Sequence, residues 1–372
     1  MDKKLVIAVS ADEEYAIPMC VCLYSLLENL DKKTQCDINI FVPGVFSDES
    51  RDLAKTITSK YDNCNLTIHD MSDAYGKAPI REGLHVTTPA YYRLNLASRL
   101  PGVDKCLYLD TDTVINADIT ELYQTDMEGY YIAGIKAAAY YRAPGEYNMH
   151  IARLGIINID TYINTGVAIF NLKAIREDNM EKTFLDLIGR YTATVDQDIL
   201  NVACYGKIKI LPFRFNVMTK YSVSDISSYE KNTRLMACYS KEEWEEGVTN
   251  PVIIHYADKV KPWKNLGTVF SEIWWDYFYR CIDDESVHHK YINLAIDSAL
   301  KIAAETRDQS HHIQELEKSV ADLQKSMQER EDQIFDLEEK IMVVNKSKSL
   351  RIGLLVTWLP RKVKTFFNER PK

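Results

Sequence analysis

The chain has 372 residues, 46% hydrophobic and 27% charged, which is enough for one large globular domain or two. Its formal net charge of −9 argues against the basic surface that nucleic-acid binding usually requires, so we expect no nucleic-acid partner. The charge is uneven, because the segment from Lys346 onward holds eight Lys or Arg against one Glu. We therefore expect the acidic body and the basic tail to have different partners.

Eight cysteines are scattered along the chain without any Cys-x-x-Cys pair, and several lie in apolar runs. This pattern is typical of free thiols in a reducing compartment and favours neither a disulfide framework nor a zinc site. We also find no secretory leader and no apolar run of the roughly 18 residues that a membrane-spanning helix needs. These features predict a cytoplasmic protein.

The first 110 residues alternate between apolar strand candidates and helical stretches. The strand candidates are residues 5–11, 38–42, 65–71 and 106–109, and the helical stretches are residues 16–30 and 50–61. This alternation predicts an α/β fold with a mostly parallel sheet covered on both faces. Ligands bind beyond the carboxyl ends of the strands in such sheets. Because Asp12 and Asp110 follow two of these ends, we expect them to border one crevice.

The later part of the chain mixes strand candidates with helices and then changes character. Strand candidates lie at residues 130–135, 165–171, 207–211 and 251–256, followed by a helix-rich region over residues 270–302. Beyond it, apolar residues recur at alternating three- and four-residue spacing, with Arg330 as the one break: Ile313, Leu316, Val320, Leu323, Met327, Ile334, Leu337, Ile341 and Val344. This period predicts a coiled coil that forms a parallel homodimer. The alternative is a long amphipathic helix packed back on the body.

The sequence thus predicts three segments: a globular domain over residues 1–304, a coiled coil over 305–345 and a basic tail over 346–372. The tail mixes Lys and Arg with Trp, Phe, Leu, Val and Ile, a composition that favours binding to an anionic membrane surface. We therefore expect a peripheral protein at the inner face of the plasma membrane. A basic helix folded on the acidic body is the alternative.

The stretch KCLYLDTDTVI, residues 105–115, ends an apolar run in Asp110-Thr111-Asp112. Side chains two residues apart on an extended chain point to the same side, so the two carboxylates repel each other unless a cation lies between them. In VIIHYADKVKPW, residues 252–263, His255 closes another apolar run and Lys261 follows it. Two carboxylates and an imidazole suit Mn²⁺ or Mg²⁺, and a nearby Lys suits a diphosphate.

Simpler interpretations of these residues also exist. The two aspartates could be solvated acids at a strand end, and the histidine could be structural. A haloacid-dehalogenase phosphatase would use Asp110 as its nucleophile, but its motif normally opens the domain and is followed by a Gly-Asp motif. Here 109 residues precede Asp110 and the chain contains no Gly-Asp dipeptide. A non-catalytic nucleotide-sugar-binding protein is a third interpretation. We expect Asp112→Ala to abolish activity while leaving the protein folded, because a solvated acid at a strand end contributes little stability.

Six blocks of the sequence, in order, resemble glycosyltransferase family 8, which includes glycogenin and the bacterial lipopolysaccharide galactosyl- and glucosyltransferases. The blocks are VSADEEYAIPM, TPAYYRLNL, LYLDTDTVI, YINTGVAIFNL, DQDILN and HYADKVKPW. The resemblance spans about residues 4–263. It implies a GT-A fold, a Rossmann-like nucleotide-sugar-binding fold, together with a UDP-sugar donor, Mn²⁺ dependence and retention of anomeric configuration. A retaining hexosyltransferase of this kind would move glucose or galactose to a saccharide or glycolipid acceptor in cell-surface polysaccharide, lipopolysaccharide or glycoprotein synthesis.

The resemblance also implies roles for individual residues. The donor-binding residues would be Asp12, Tyr15, Arg93, Asp110, Thr111, Asn164, Asp196 and Lys261, with the Tyr15 ring stacked on uracil. The metal ligands would be Asp110, Asp112 and His255. Gln197 would lie beneath the anomeric carbon, where an amide is a poor nucleophile and favours attack by the acceptor on the same face. Asp196 and Asp198 are the alternative catalytic candidates.

The sequence departs from the family pattern at two places. Lys136-Ala137-Ala138-Ala139 stands where the family often has an acidic residue near the sugars, which bears on the identity of the acceptor. Asp258 stands where the phosphate loop usually has a glycine, and a carboxylate there would oppose diphosphate binding unless it points away.

Overall fold

The computed structural model describes residues 4–74, 88–141, 149–190, 196–221, 229–230, 232–257 and 260–346. The chain divides into two compact units, residues 1–299 and residues 300–372. The first unit contains every strand among the described residues and every residue that the sequence assigned to the site. The second unit contains most of one long helix.

The first unit is built on a seven-stranded sheet with strand order β3-β2-β1-β4-β7-β6-β8. Its strands are β1 Lys4–Ser10, β2 Gln35–Val42, β3 Cys64–Asp70, β4 Lys105–Asp110, β6 Ile132–Lys136, β7 Ile163–Asn171 and β8 Ile208–Ile210. Strands β1 to β4 run parallel, whereas β7 is antiparallel to both of its neighbours, β4 and β6. The prediction of a mostly parallel sheet is therefore confirmed, with β7 as the exception.

Alternating residues of the central strands face two separate hydrophobic layers. On β1, Ile7 and Val9 belong to one buried cluster, while Val6 and Ala8 belong to the other. Helices cover both faces, as expected for strands that are apolar on both sides. The helices are α1 Ala16–Asn29, α2 Asp48–Thr58, α3 Leu96–Arg99, α4 Thr120–Tyr123, α5 Met149–Arg153, α6 Leu172–Glu177, α7 Met180–Asp186, α8 Asp196–Ala203, α9 Thr233–Cys238, α10 Lys241–Thr249, α11 Ser271–Cys281 and α12 Glu285–Lys346.

A second sheet of three short strands joins parts of the chain that are far apart in sequence. Its order is β5-β10-β9, with β5 at Thr113–Ile115, β9 at Val217–Met218 and β10 at Ile253–His255. Strand β10 pairs antiparallel with β5 and parallel with β9. Only β10 was anticipated from the sequence, because strands of two or three residues are too short for a periodic pattern to identify.

Helix α12 begins at Glu285 and continues without interruption to Lys346. Its first turns belong to the globular unit, where Tyr291 and Ala295 are buried. Further along, Ile334, Leu337 and Ile341 of the predicted heptads are more than half exposed. The basic tail from residue 347 onward lies outside the described residues. Within the described part of the chain, no helix is both long enough and apolar enough to cross a membrane.

Candidate functional site

The Asp-x-Asp stretch forms the connection between the main sheet and the small one. Asp110 is the last residue of β4, beside Ser10 of β1, and β5 begins at Thr113. The Thr113 hydroxyl donates to the Asp110 carbonyl at 2.7 Å, which closes the turn. Thr111 and Asp112, within this turn, are both buried.

The small sheet brings His255 to this turn. Thr113 of β5 and His255 of β10 are register partners, and the Tyr256 backbone N–H donates to the Asp112 carbonyl at 2.9 Å. The imidazole therefore faces both aspartates, although about 140 residues separate them in sequence. Pairing between two very short strands thus assembles the cluster that the sequence predicted from two separate motifs.

One oxygen of each aspartate is held by a cationic side chain, and the other converges on His255. Asp110 Oδ1 lies 2.6 Å from Arg93 Nη2, and Asp112 Oδ2 lies 2.5 Å from Lys261 Nζ. The remaining oxygens, Asp110 Oδ2 and Asp112 Oδ1, lie 3.7 and 3.2 Å from His255 Nε2. One ligand atom from each of the three residues thus lies within 4.8 Å of the other two.

Two features of the surroundings fit a divalent cation at this position. His255 Nδ1 lies 2.8 Å from Asn216 Oδ1, which can only accept, so Nδ1 carries a hydrogen and Nε2 is the ring nitrogen that faces the aspartates. Gly166 of β7 lies so close to His255 and Asp110 that a Cβ atom there would overlap both side chains. The space between the three ligands is thus kept free of protein atoms on this side.

Asp112 and Lys261 form a buried ion pair, and the Lys261 ammonium also donates to the Tyr256 carbonyl at 2.7 Å. Burial raises the pKa of Asp112, but the charges of Lys261 and His255 lower it further, and the net pKa lies well below its usual range. The expectation of a solvated Asp112 was therefore wrong, because the side chain is buried. Removing its charge would leave Lys261 as an uncompensated buried cation.

Arg93 is buried in a 3-10 helix, Thr88–Asn95, and stacks 4.1 Å over the Tyr108 ring. Besides Asp110 it contacts Asp196, with Nε 3.1 Å from Asp196 Oδ2, and its Nη1 donates to the Thr165 carbonyl at 2.8 Å. Burial raises the pKa of Asp196 to about 6, because the lowering by Arg93 only partly offsets burial and the charge of Asp110. Arg93 thus contacts both Asp110, a predicted metal ligand, and Asp196, a predicted sugar-binding residue.

The predicted sugar-facing residues lie together on β7 and α8. Asn164 Nδ2 donates to Gln197 Oε1 at 3.1 Å, and both side chains are half-buried. Gln197 Nε2 donates to the Tyr162 hydroxyl at 3.2 Å, and that hydroxyl donates to Asp198 Oδ1 at 2.6 Å. Asn201 fixes the start of the strand, because its amide exchanges two hydrogen bonds with the Ile163 backbone.

The residues expected at the uridine occupy the first crossover after β1. Asp12 caps a short 3-10 helix, Glu13–Tyr15, and its carboxylate accepts from the Tyr15 N–H at 3.2 Å. The Tyr15 ring meets the Trp263 ring edge to face, with centroids 5.9 Å apart. Burial, together with the nearby charge of Asp112, raises the pKa of the Tyr15 hydroxyl well above its usual range. Tyr15 thus lies near enough to Asp112 to be affected by its charge.

The structure describes only one of the two places where the sequence departs from the family pattern. Asp258 lies outside the described residues. The Lys136 ammonium pairs with Asp160 at 3.1 Å, and the Tyr141 hydroxyl donates to the same Asp160 oxygen at 2.7 Å. Lys136 is therefore part of a polar cluster at the end of β6, next to the strand that bears Asn164.

Several residues of the site escaped the sequence analysis. Asn216 is fully buried between Phe215 and β9, and it contacts both His255 and Asn164. Its only sequence signal is an asparagine between apolar residues in the stretch FRFNVM, and this signal is weak. Tyr162 was read only as part of a strand block, although its hydroxyl lies between Gln197 and Asp198.

Comparisons with known structures identify the fold. The bifunctional glycosyltransferase WbbM, in its apo form, superposes with a TM-score of 0.64 at 20% identity, over 80% of this chain and 52% of that chain. The galactosyltransferase LgtC, in complex with donor and acceptor sugar analogues, gives a TM-score of 0.58 at 22% identity, over 74% of this chain and 96% of that one. At this identity the similarity establishes the fold alone, and it confirms the predicted GT-A architecture.

Sequence comparisons give the same assignment. A putative glycosyltransferase of Haemophilus influenzae is 27% identical over 214 residues, which cover 56% of this chain and 62% of that protein, so less than two thirds of that relative is matched. The lipopolysaccharide 1,2-glucosyltransferase of Escherichia coli is 24% identical over 273 residues, covering 72% of this chain and 74% of that protein. The family model for glycosyl transferase family 8 matches residues 6–267, more than half of the chain. The chain therefore belongs to glycosyl transferase family 8.

Proposed function

We propose that this glycosyltransferase moves a hexose, glucose or galactose, from a UDP-sugar to a saccharide or glycolipid acceptor, with retention of configuration and with Mn²⁺ or Mg²⁺ as cofactor. The observation that supports this most strongly is the convergence of Asp110, Asp112 and His255 beside the buried Lys261. Two carboxylates and one imidazole leave room for phosphate oxygens in the coordination sphere of a divalent ion.

In this proposal the metal centre and Lys261 serve the departure of UDP. A cation held by Asp110, Asp112 and His255 would stabilise the negative charge that develops on the leaving diphosphate. Lys261 is placed to add a second positive charge, because its ammonium already lies against Asp112. Arg93 directs Asp110 at the centre, since its guanidinium donates to Asp110 Oδ1 at 2.6 Å.

Retention of configuration is supported by the residue types around the sugar side. Gln197, the residue expected beneath the anomeric carbon, is an amide, and its Oε1 already accepts from Asn164. Asp196 is paired with Arg93, and Asp198 accepts from Tyr162. We infer that none of these side chains forms a covalent glycosyl intermediate. The acceptor would then attack on the face from which UDP leaves, with a UDP oxygen accepting its proton.

The proposed acceptor class draws support from the relatives. One matched protein is named a lipopolysaccharide 1,2-glucosyltransferase, and several streptococcal matches are named glycosyltransferases. A saccharide or glycolipid of the cell surface is therefore the acceptor class that we propose for this chain.

We also propose that the second unit makes a parallel homodimer and that the basic tail binds anionic lipid, which would place the protein at the inner face of the plasma membrane. The exposed Ile334, Leu337 and Ile341 support a helix-to-helix contact, because an apolar stripe on an isolated helix gains stability by burial against a partner. A chain ending at Ala304 should therefore fail to sediment with anionic vesicles that retain the full chain. Equal sedimentation of both proteins would contradict the membrane proposal.

A donor screen tests the proposed reaction. UDP release is followed for a panel of nucleotide sugars, with and without Mn²⁺, and the product formed on a simple sugar acceptor is examined by NMR. We expect release from a UDP-hexose in the presence of Mn²⁺ and an α-linked product from an α-linked donor. A β-linked product would contradict the retaining mechanism, and preference for another nucleotide would contradict the UDP assignment.

A further inference from the structure

Six polar side chains form one continuous hydrogen-bonded chain that leads from the metal cluster to the far side of the sugar-facing residues. Its members, in spatial order, are His255, Asn216, Asn164, Gln197, Tyr162 and Asp198. We call this set the polar chain. Its middle members are half-buried and its other members are buried, so the surrounding protein holds most of it away from water.

Asp198 determines the direction of the polar chain at one end. A carboxylate oxygen accepts, so the Tyr162 hydroxyl uses its single hydrogen to donate to Asp198 at 2.6 Å. The Tyr162 oxygen then accepts from Gln197 Nε2 at 3.2 Å. This contact turns the carbonyl end of the Gln197 amide away from Tyr162 and towards Asn164.

The remaining amides pass the same direction on to the metal ligand. Gln197 Oε1 accepts from Asn164 Nδ2 at 3.1 Å, and Asn164 Oδ1 accepts from Asn216 Nδ2 at 2.9 Å. Asn216 Oδ1 is thereby left to accept from His255 Nδ1 at 2.8 Å. Every member donates towards Asp198, an arrangement in which neighbouring hydrogen bonds strengthen one another. The tautomer that frees His255 Nε2 for a metal is the one that this direction requires.

We propose that Asp198, Tyr162 and Asn216 are positioning residues, which together fix the His255 tautomer for metal binding and the orientation of the Gln197 amide towards the sugar. This proposal rests on the proposed function, because it assigns the metal to His255 and the sugar to Gln197. Asp198, buried and bonded to Tyr162, acts through the polar chain and does not touch substrate. Asn216 connects the two ends of this proposal, because it contacts both His255, a proposed metal ligand, and Asn164, a proposed sugar-facing residue.

Two substitutions of Asn216 separate its effect on metal binding by His255 from its effect on the orientation of the Gln197 amide. Asn216→Ala removes both contacts, so Mn²⁺ affinity should fall about tenfold or more, the size of effect expected when the partner of a metal-bound histidine is lost. Asn216→Asp keeps an acceptor for His255 Nδ1 but cannot donate to Asn164. It should bind Mn²⁺ within about threefold of the wild-type affinity, yet its transfer rate should fall roughly tenfold.

Mn²⁺ affinity is measured on the full chain by titration with electron paramagnetic resonance of free Mn²⁺, and transfer is measured separately as kcat and KM. The matched control is Asn63→Ala, a buried asparagine just before the edge strand β3 that donates to the Thr34 carbonyl. This variant loses a buried amide of the same kind and should keep wild-type Mn²⁺ affinity and turnover. Wild-type affinity in folded Asn216→Ala, or wild-type turnover in Asn216→Asp, would overturn the proposal.

A third measurement needs no variant and no activity. In the metal-free protein labelled with ¹⁵N-histidine, NMR should show His255 with hydrogen on Nδ1, the nitrogen that faces Asn216. A His255 ring without hydrogen on Nδ1 would overturn the proposed direction of the polar chain even if every variant failed to fold. Failure of the proposed function would look different: the tautomer would be as stated, but the protein would bind no Mn²⁺ and transfer no sugar.

Discussion

Gly166 lies on β7 at the point where the His255 ring and the Asp110 carboxylate approach the backbone most closely. A methyl group in place of its hydrogen would displace both ligands, so Gly166→Ala should lower Mn²⁺ affinity and activity together. The unfolding temperature should change less than it would for a substitution inside a hydrophobic layer, since Gly166 lies beside the three predicted ligands. Gly267→Ala is the control, because its Cβ would meet only Asn265 Oδ1, at 3.2 Å. Unchanged Mn²⁺ affinity in Gly166→Ala would argue against a metal between these ligands.

Asp196 predicts a pH dependence of stability in the metal-free protein. Its folded pKa is about 6, above the ordinary value of 3.8, so between these pH values the folded protein holds a proton that the unfolded chain has released. The stabilising contribution of protonated Asp196 is therefore complete below about pH 4 and is lost as the pH rises through about 6. The total loss is roughly 3 kcal/mol or less, at about 1.4 kcal/mol for each pH unit between the two pKa values.

Asp196→Asn retains the shape of the side chain and does not titrate. Urea unfolding in EDTA at pH 4 and pH 7 should therefore show a smaller decrease in unfolding free energy for this variant than for the wild type. Equal decreases would mean that the carboxyl group of Asp196 titrates normally in the folded protein.

At the scale of elements, helix α12 makes the clearest prediction. Leu337 lies at a seam position of the heptads and is 57% exposed, whereas Phe335, two residues earlier, lies off the seam and is 71% exposed. In a dimer that uses the seam, Leu337→Asp would bury a charge at the contact and should give a monomer of about 43 kDa by light scattering. Phe335→Asp should leave the dimer intact. A dimer in both variants, or a monomeric wild type, would contradict the proposed contact.

The elements also show how far a sequence can predict structure. Strands such as β1, β2 and β4 were predicted to within a few residues, because long apolar runs between helical stretches are a strong signal. Strands β5 and β9 were not predicted, since strands of three and two residues are too short to show an alternation of apolar and polar residues. Yet β5 is the strand whose pairing with β10 brings His255 to Asp112. The residue types of the candidate metal site were therefore predictable, and the backbone pairing that assembles it was not.

At the scale of the whole molecule, the family resemblance predicted the GT-A fold and the residues that gather at its site, but not their polar surroundings. Asn216 and Tyr162 lie in segments that read as apolar or strand-like, and their roles depend on contacts across 35 to 52 residues of sequence. Burial of Asp112 was mispredicted for a similar reason, because Lys261, its ion-pair partner, is 149 residues away. Local patterns indicate residue types and the spacing at which apolar residues recur, whereas burial depends on which distant segments come together.

We propose that Asp110, Asp112 and His255 bind the cation on which hexose transfer from a UDP-sugar depends. The most direct test is the initial rate of UDP release from UDP-glucose and UDP-galactose over a series of Mn²⁺ concentrations, in the wild type and in Asp112→Asn. This variant keeps an acceptor for Lys261, and its circular dichroism and unfolding temperature serve as the control for folding. We predict a saturable dependence on Mn²⁺ in the wild type, no release in EDTA, and a loss on the order of a hundredfold in Asp112→Asn. Full release in EDTA, or wild-type release by folded Asp112→Asn, would contradict the claim.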